Sequence, residues 1–151
     1  MRIALDTNIL AYAEGVNGEE RRAETLTLLR RVRHHEIVLP AQAFGELYNV
    51  LVRKTRWRTN DARAAVLAWR ETFPLIATSP AVIVSAVDLA ADHRFSIWDG
   101  VVLAAAASSG CTMLLSEDMQ DGFVWSGVRV VNPFAESVSS ALASVLGSGQ
   151  S

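Results

Sequence analysis

The segment LLSEDMQDG, residues 114–122, places three carboxylates directly after a short apolar run. Glu117, Asp118 and Asp121 lie within five residues. Their like charges repel one another, so either water screens them or a cation binds between them. The positions of the other acids in the fold decide between these alternatives.

Two further acids lie beside predicted elements of structure. Asp6 follows the predicted strand Arg2–Leu5, and Asp99 falls in the first turn of an apolar helix predicted at Trp98–Ser109, where the helix dipole favours negative charge. If the strands before Asp6 and Asp118 are parallel neighbours, both carboxylates lie at the same edge of a sheet. Converging carboxylates without a matching Lys or Arg in their motifs predict a hard divalent cation, such as Mg²⁺.

Short apolar runs alternate along the chain with helical patterns, which predicts an α/β fold whose parallel sheet is covered on both faces. The predicted strands are Arg2–Leu5, Ile37–Leu39, Leu75–Ala77, Thr112–Leu115 and Arg129–Val131. The predicted helices are Glu19–Arg33, Ala41–Lys54, Asn60–Phe73, one that begins at Pro80, and Trp98–Ser109. Apolar spacing predicts that the first of these helices buries Ala23, Leu26, Leu29 and Val32, and that the helix from Pro80 buries Ile83, Ala86, Val87, Ala90 and Ala91.

Composition and length narrow the class of protein. A chain of 151 residues has the length of one domain, and its formal net charge of −2 excludes a polycation built for nucleic acid. The single cysteine, Cys111, is expected to be a small buried residue and suits a reducing cytoplasm. No apolar stretch reaches the ~20 residues that span a bilayer, so we expect no membrane segment. Gly and Ser in Ser144–Ser151 predict a frayed tail.

Each acid also has a simpler structural explanation. Asp99 alone is a helix cap, Asp118 and Asp121 alone form a turn, and Glu117 is expected to point to solvent. Asp6 fits such a role least, because an aspartate beside a buried strand needs partners. Glu46 lies on the polar side of its predicted helix, and periodicity alone predicts that it is solvated.

Four segments, in order, resemble the PIN domain, and more narrowly the VapC-type toxins of bacterial toxin–antitoxin pairs: IALDTNILAY, AFGELYNVL, FSIWDGVVLAAA and LLSEDMQDG. The resemblance runs from Arg2 to Phe134. It implies a three-layer sandwich, with a central parallel sheet flanked by helices, over residues 1–134. Residues 135–151 are expected to form a C-terminal helix and frayed tail.

The resemblance also implies a ribonuclease that depends on Mg²⁺ or Mn²⁺. The acids around the metal would be Asp6, Glu46, Asp99 and Asp118, with Asp121 as an additional outer ligand or one that binds through water. Only the resemblance, and not the helical periodicity, assigns Glu46 to the site. Thr7, Asn8 and Ser116 match the polar residues that accompany the acids in this family and are candidates for substrate contact.

The implied partners are RNA, a cognate antitoxin and a second copy of the chain. The basic segment RKTRWR, residues 53–58, suits RNA because cations hold phosphates and an indole stacks on an unpaired base. Arg53 and Arg56 are its candidate contacts. The equally weighted alternative is a solvated loop in which Trp57 folds back on the core.

Two other functions remain open from the sequence. A PIN-like module that binds RNA or protein without turnover would keep the acids for structure or for metal binding. A receiver-type signalling domain also gathers acids at strand ends, but it needs a Lys near the end of a late strand. The chain holds one lysine, Lys54, which lies elsewhere.

Overall fold

The computed structural model describes residues 1–137 and 139–148, which contain a six-stranded sheet. The strands are Arg2–Leu5 (β1), Glu36–Pro40 (β2), Leu75–Ile76 (β3), Met113–Leu115 (β4), Val124–Trp125 (β5) and Val128–Val131 (β6). Their order across the sheet is β3-β2-β1-β4-β6-β5, and every pair is parallel except β5–β6. β1 and β4 are therefore central neighbours, so the chain segments that follow them leave the same edge.

Helices cover both faces of this sheet. They are Thr7–Ala13 (α1), Glu19–Val32 (α2), Ala41–Arg53 (α3), Thr59–Thr72 (α4), Pro80–His93 (α5), Ile97–Ser108 (α6) and Ser140–Ser148 (α7). Alternate residues of β1 join different cores: Ile3 and Leu5 contact the layer of α1 to α4 and α7, whereas Ala4 contacts the layer of α5 and α6. The predicted three-layer α/β sandwich is confirmed.

The predicted strands and helices are present, and their ends differ from the predicted ones by a single residue or less. Cys111 is buried, as expected, and makes no disulfide. Among the described residues, no helix combines the length and apolar composition needed to cross a bilayer.

Three elements depart from the sequence predictions. The helix α1 was not predicted, because its seven residues are buried on nearly every side and are too few to show a period. The two-residue strand β5 was also missed; it pairs with β6 across a turn in which Ser126 and Gly127 both have positive φ. The helix α7 is a C-terminal helix of the kind expected within residues 135–151, but it continues to Ser148, past the predicted start of fraying at Ser144, with Val145 buried in the core. Residues 149–151 of the predicted tail lie outside the described residues.

The buried faces of two helices also differ from the predictions. α5 buries Val82, Ala86 and Leu89, whereas Ile83 and Val87 are exposed. The apolar residues of α5 are spread over most of its circumference, so its periodicity does not identify one buried face. Contact with α6 determines which residues are buried. The corresponding buried residues of α2 are Thr25, Leu28 and Val32, and Ala23 is exposed.

Gly100 sets the close approach of α6 to α5. A Cβ atom at this position would lie 3.0 Å from the backbone oxygen of Ala86 and 3.3 Å from its Cα atom. The missing side chain therefore lets the first turn of α6 lie directly against α5. Since Asp99 precedes Gly100, this contact also fixes where the Asp99 carboxylate enters the site.

Candidate functional site

Asp6 occupies the junction between β1 and α1. Its backbone N–H donates to the carbonyl oxygen of Leu115 at 3.0 Å, which continues the pairing of β1 with β4. Its carboxylate Oδ1 accepts from the N–H of Thr7 at 2.8 Å and thereby caps α1. The side chain is buried at 3% exposure, so this aspartate meets the sheet edge inside the protein.

Ser116 and Asn8 join Asp6 to the acidic segment after β4. The Ser116 hydroxyl donates to Asp6 Oδ2 at 2.7 Å and accepts from the backbone N–H of Asp118 at 3.2 Å. The Asn8 amide nitrogen lies 3.3 Å from Asp6 Oδ2 and 3.1 Å from Asp118 Oδ2. The structure therefore brings Asp6 and Asp118 together at one edge of the sheet, through two buried polar side chains.

Glu46 faces the same site from α3. Its Oε2 accepts from the Thr7 hydroxyl at 2.8 Å, and its Oε1 accepts from the Gln42 amide at 3.0 Å. The side chain is half-buried, so the solvated position predicted by periodicity is wrong. A helical period locates the apolar face of α3, but it carries no information that α1 lies beside the polar face.

Asp99 reaches the site from the first turn of α6. The N-cap of that helix is Ser96, whose hydroxyl accepts from the N–H of Asp99 at 3.1 Å. Burial raises the pKa of the Asp99 carboxyl, a hydrogen bond with Ser96 opposes this, and the charges of Asp118 and Glu46 raise it further. Because Ser96 caps the helix, capping does not account for Asp99.

The carboxylates of Asp6, Glu46, Asp99 and Asp118 lie close enough to repel one another. Burial raises the pKa of Asp6 to about 7, hydrogen bonds from Ser116 and Thr7 lower it, and the charges of Asp99 and Glu46 raise it again. None of the ion pairs formed by the described residues involves Asp6, Glu46, Asp99 or Asp118. These carboxylates therefore share one region without a basic side chain that neutralises them.

Such a donor set fits a hard divalent cation in chemistry, because Mg²⁺ prefers a few carboxylates and several waters. Across residues 1–137 and 139–148, no three acidic, His or Cys side chains are already spaced to hold a metal ion. The oxygens of Asp6 and Glu46 accept hydrogen bonds instead. Asp6 Oδ2 already has two donors, whereas Asp6 Oδ1 and both Glu46 oxygens have one each and keep a lone pair for a second partner. Metal binding would therefore require side-chain movement.

Asp121 and Glu117 have structural partners outside this group. The exposed Asp121 accepts from the backbone N–H of Asn132 at 2.9 Å and so ties its turn to the end of β6. Glu117 was predicted to point to solvent, and that prediction is wrong because its side chain has two protein partners. It accepts from the Tyr12 hydroxyl, and its Oε2 lies 3.4 Å from Nη1 of Arg21, whose guanidinium also covers the Phe134 ring at 4.2 Å.

Removal of the Glu117 carboxylate is expected to destabilise the fold. In Glu117→Ala, the Tyr12 hydroxyl loses its acceptor and the partly buried Arg21 loses an ion-pair partner, which should cost about 1–2 kcal/mol in the free energy of unfolding. Glu117→Gln keeps an acceptor for Tyr12 and loses only a partly exposed ion pair, so its cost should stay below about 1 kcal/mol. Urea unfolding of both variants measures the difference, and equal midpoints for Glu117→Ala and the parent would refute this role.

A cleft of about 390 Å³ runs beside the acids, between α1 and α3. Its polar lining includes Thr7, Asn8, Glu46, Asn49 and Asp118, its apolar lining includes Ala11, Val16 and Val50, and Tyr12 also lines it. Lys54 also lines it. Tyr12 was not a candidate from the sequence, and Lys54 was included only as one of the four cations of the basic segment 53–58.

The basic segment, residues 53–58, is only partly placed against this cleft. The exposed Arg53 donates through Nε to Asn49 Oδ1 at 3.0 Å, and Arg56 is exposed with a positive φ of 56°. Trp57 lies partly buried against the core and its backbone N–H donates to Leu51 at 2.9 Å, as the solvated-loop alternative expects. RNA contact by Arg53 and Arg56 stays a prediction.

A family model for the PIN domain matches residues 3–120. The chain therefore belongs to the PIN-domain family, and the resemblance drawn from its four motifs is confirmed. The matched range contains Asp6, Glu46, Asp99 and Asp118. A search of curated proteins finds no significant sequence match.

Solved structures show the same fold at low sequence identity. VapC20 of Mycobacterium tuberculosis, a sarcin-ricin loop cleaving toxin, has a TM-score of 0.61 at 16% identity, over 74% of this chain and 86% of that one. VapBC2 of Rickettsia felis, bound to a promoter DNA fragment, has a TM-score of 0.63 at 14% identity, and the match covers 86% of this chain and 97% of that one. A toxin–antitoxin complex from Klebsiella pneumoniae has a TM-score of 0.62 at 20% identity, and the match covers 87% of this chain and 98% of that one. These likenesses show the PIN fold.

Proposed function

We propose that the chain is an endoribonuclease that depends on Mg²⁺ or Mn²⁺ and serves as the toxin of a toxin–antitoxin pair. The observation that carries this proposal is the meeting of Asp6, Glu46, Asp99 and Asp118 at the carboxyl edge of a PIN-domain sheet. Among the described residues, these four carboxylates repel one another and form no ion pair with a basic side chain, which favours binding of a cation. The bound cation would in turn contact the phosphodiester of the substrate. The proposed location is the cytoplasm.

The residues would divide the work of RNA cleavage. Asp6 and Asp99 would hold the metal ion, Asp118 would bind it directly or through water, and Asp121 would be an outer ligand. When bound, the ion supplies a coordinated water of lowered pKa and neutralises charge that develops on the phosphate. Glu46, oriented by Thr7 and Gln42, would align the attacking water or hold a second ion.

Ser116, Thr7 and Asn8 would keep these acids in position. Ser116 is fully buried and contacts both the Asp6 carboxylate and the backbone of the segment that carries Asp118. Thr7 and Asn8 bridge Asp6 to Glu46 and Asp118 respectively. Thr7 and Asn8 line the cleft, and we propose that they also contact RNA, whereas the fully buried Ser116 has no surface for such a contact.

The proposed protein partners follow from the structural neighbours. The Rickettsia felis and Klebsiella pneumoniae structures are toxin–antitoxin complexes, and we propose that this chain likewise binds a small antitoxin that covers the acidic cleft. The product of an adjacent gene is the first candidate. Homodimer formation also stays a proposal, which the mass of the purified chain in solution would test.

A nuclease assay with and without EDTA tests the proposed activity. The purified chain should cleave single-stranded or looped RNA in Mg²⁺ or Mn²⁺, and EDTA should abolish the cleavage. Restoration by added Mg²⁺ is the control for irreversible loss. RNA binding without cleavage under any divalent ion would favour the non-catalytic PIN-like module instead.

The receiver-type alternative is excluded by membership of the PIN family. The position of Lys54 agrees with this, because the residue follows helix α3 and does not follow a late strand.

A further inference from the structure

One face of α3 connects the acids to the only lysine of the chain. Glu46, Val50 and Lys54 are spaced four residues apart, so they lie on the same side of the helix, and all three line the 390 Å³ cleft. Eight helical residues span roughly 12 Å. Lys54 is therefore too far along the helix to contact the same reacting phosphate as Glu46. The Lys54 side chain can instead reach a phosphate next to the reacting one.

The lining of the cleft changes along this face. Glu46 and Asp118 make one part acidic, whereas Ala11, Val16 and Val50 give an apolar wall. Among the described residues that line the cleft, Lys54 is the only cation. The volume of the cleft, about 390 Å³, lies at the lower end of the range for clefts that hold a small ligand. An apolar wall beside an isolated cation suits a flat base with its phosphate.

We propose that this cleft holds one unpaired nucleotide of the RNA next to the cleaved bond, with its base against Ala11, Val16 and Val50 and its phosphate on Lys54. The inference rests on the proposed ribonuclease function and assigns the position that reads a single-stranded substrate. It differs from the sequence prediction, which places phosphate contacts on Arg53 and Arg56. Lys54 lines the cleft, whereas the exposed Arg53 reaches it only through its hydrogen bond to Asn49.

A simpler role for Lys54 is electrostatic stabilisation of α3, because a cation is favoured at the C-terminal end of a helix. Arg53 occupies the same end and shares that effect. The two roles separate by measurement, since helix stabilisation changes the melting temperature whereas phosphate contact changes the salt dependence of RNA binding. Arg53→Met is therefore a matched control for Lys54→Met.

The test uses fluorescence anisotropy of a labelled single-stranded RNA across a range of salt concentrations. Asp99→Asn in Mg²⁺ serves as the background, because it should not cleave and Asp99 does not line the cleft. Lys54→Met should lower the slope of log affinity against log salt by about 0.7, the value for one phosphate of a single strand. Lys54→Arg and Arg53→Met should both keep the slope.

A second substitution tests the apolar wall. Val50→Phe fills the cleft and should weaken single-stranded RNA binding at least several-fold without a change in slope, and Val16→Phe provides a second variant if the first melts early. An unchanged slope in Lys54→Met, or a slope lowered by Arg53→Met alone, would overturn the assignment of Lys54. Failure of the background itself to bind RNA, together with no cleavage by the parent, would instead refute the ribonuclease proposal.

Discussion

Each of the substitutions Asp6→Asn, Glu46→Gln, Asp99→Asn and Asp118→Asn should reduce metal-dependent RNA cleavage by at least about 100-fold. Changes to the residues that merely orient metal ligands cost about 10–100-fold, so loss of a ligand's charge should cost as much or more. Single-turnover cleavage of a labelled RNA at saturating Mg²⁺ measures the loss. If the parent slows growth when expressed, Asp6→Asn should relieve the effect.

The four variants are not equally clean tests. Asp6 Oδ2 accepts from both Ser116 and Asn8, and an asparagine amide nitrogen in that place cannot accept, so Asp6→Asn should also lose stability. Asp99→Asn removes charge from a half-buried residue whose helix is capped by Ser96, and it should stay folded. A folded Asp99→Asn without activity is therefore the most informative result.

Asp121→Asn and Glu117→Gln provide matched acidic controls from the same segment. Asp121→Asn keeps an oxygen acceptor for the N–H of Asn132 and should lose little activity. Glu117→Gln keeps the acceptor for Tyr12 and should lose almost none. Full activity in a folded Asp6→Asn variant would refute the metal mechanism, since among the described residues no other carboxylate is as buried as that of Asp6.

The sequence predicted the sheet edge of the site more successfully than its walls. Asp6 and Asp118 both follow short apolar runs, and parallel pairing of those runs was enough to predict that the two acids meet. The observed register of Leu5 with Leu115 confirms that pairing. The connection through Asn8 and Ser116 was not predictable from spacing, because a hydrogen bond between distant residues leaves no periodic signal.

The contribution of helix faces was harder to predict. Glu46 lies on the polar side of α3, and its place in the site depends on α1, a helix too short to be recognised. Glu117 likewise depends on Tyr12 and Arg21, which belong to two different helices. In the same way, α5 is apolar on most sides, so its exposed Ile83 and Val87 follow from where α6 packs. These positions depend on tertiary contacts that local patterns do not contain.

Divalent metal should raise the melting temperature of the chain. In the absence of metal, repulsion among Asp6, Glu46, Asp99 and Asp118 destabilises the fold, and a bound cation relieves it. At about 100 times its dissociation constant, a ligand that binds only the folded state stabilises it by roughly 2.7 kcal/mol. For a chain of this size, that corresponds to an increase on the order of 5–10 °C.

Differential scanning calorimetry in Mg²⁺, in Mn²⁺ and in Na⁺ at matched ionic strength measures this effect. Na⁺ should produce no comparable increase, because general screening acts on exposed charges and Asp6 is buried. Asp99→Asn should raise the metal-free melting temperature, since it removes one charge from the repelling group, and it should shrink the response to Mg²⁺. A lost structural contact would act in the opposite sense. If Asp99→Asn lowers the metal-free melting temperature and keeps the full Mg²⁺ response, Asp99 stabilises α6 and does not bind metal.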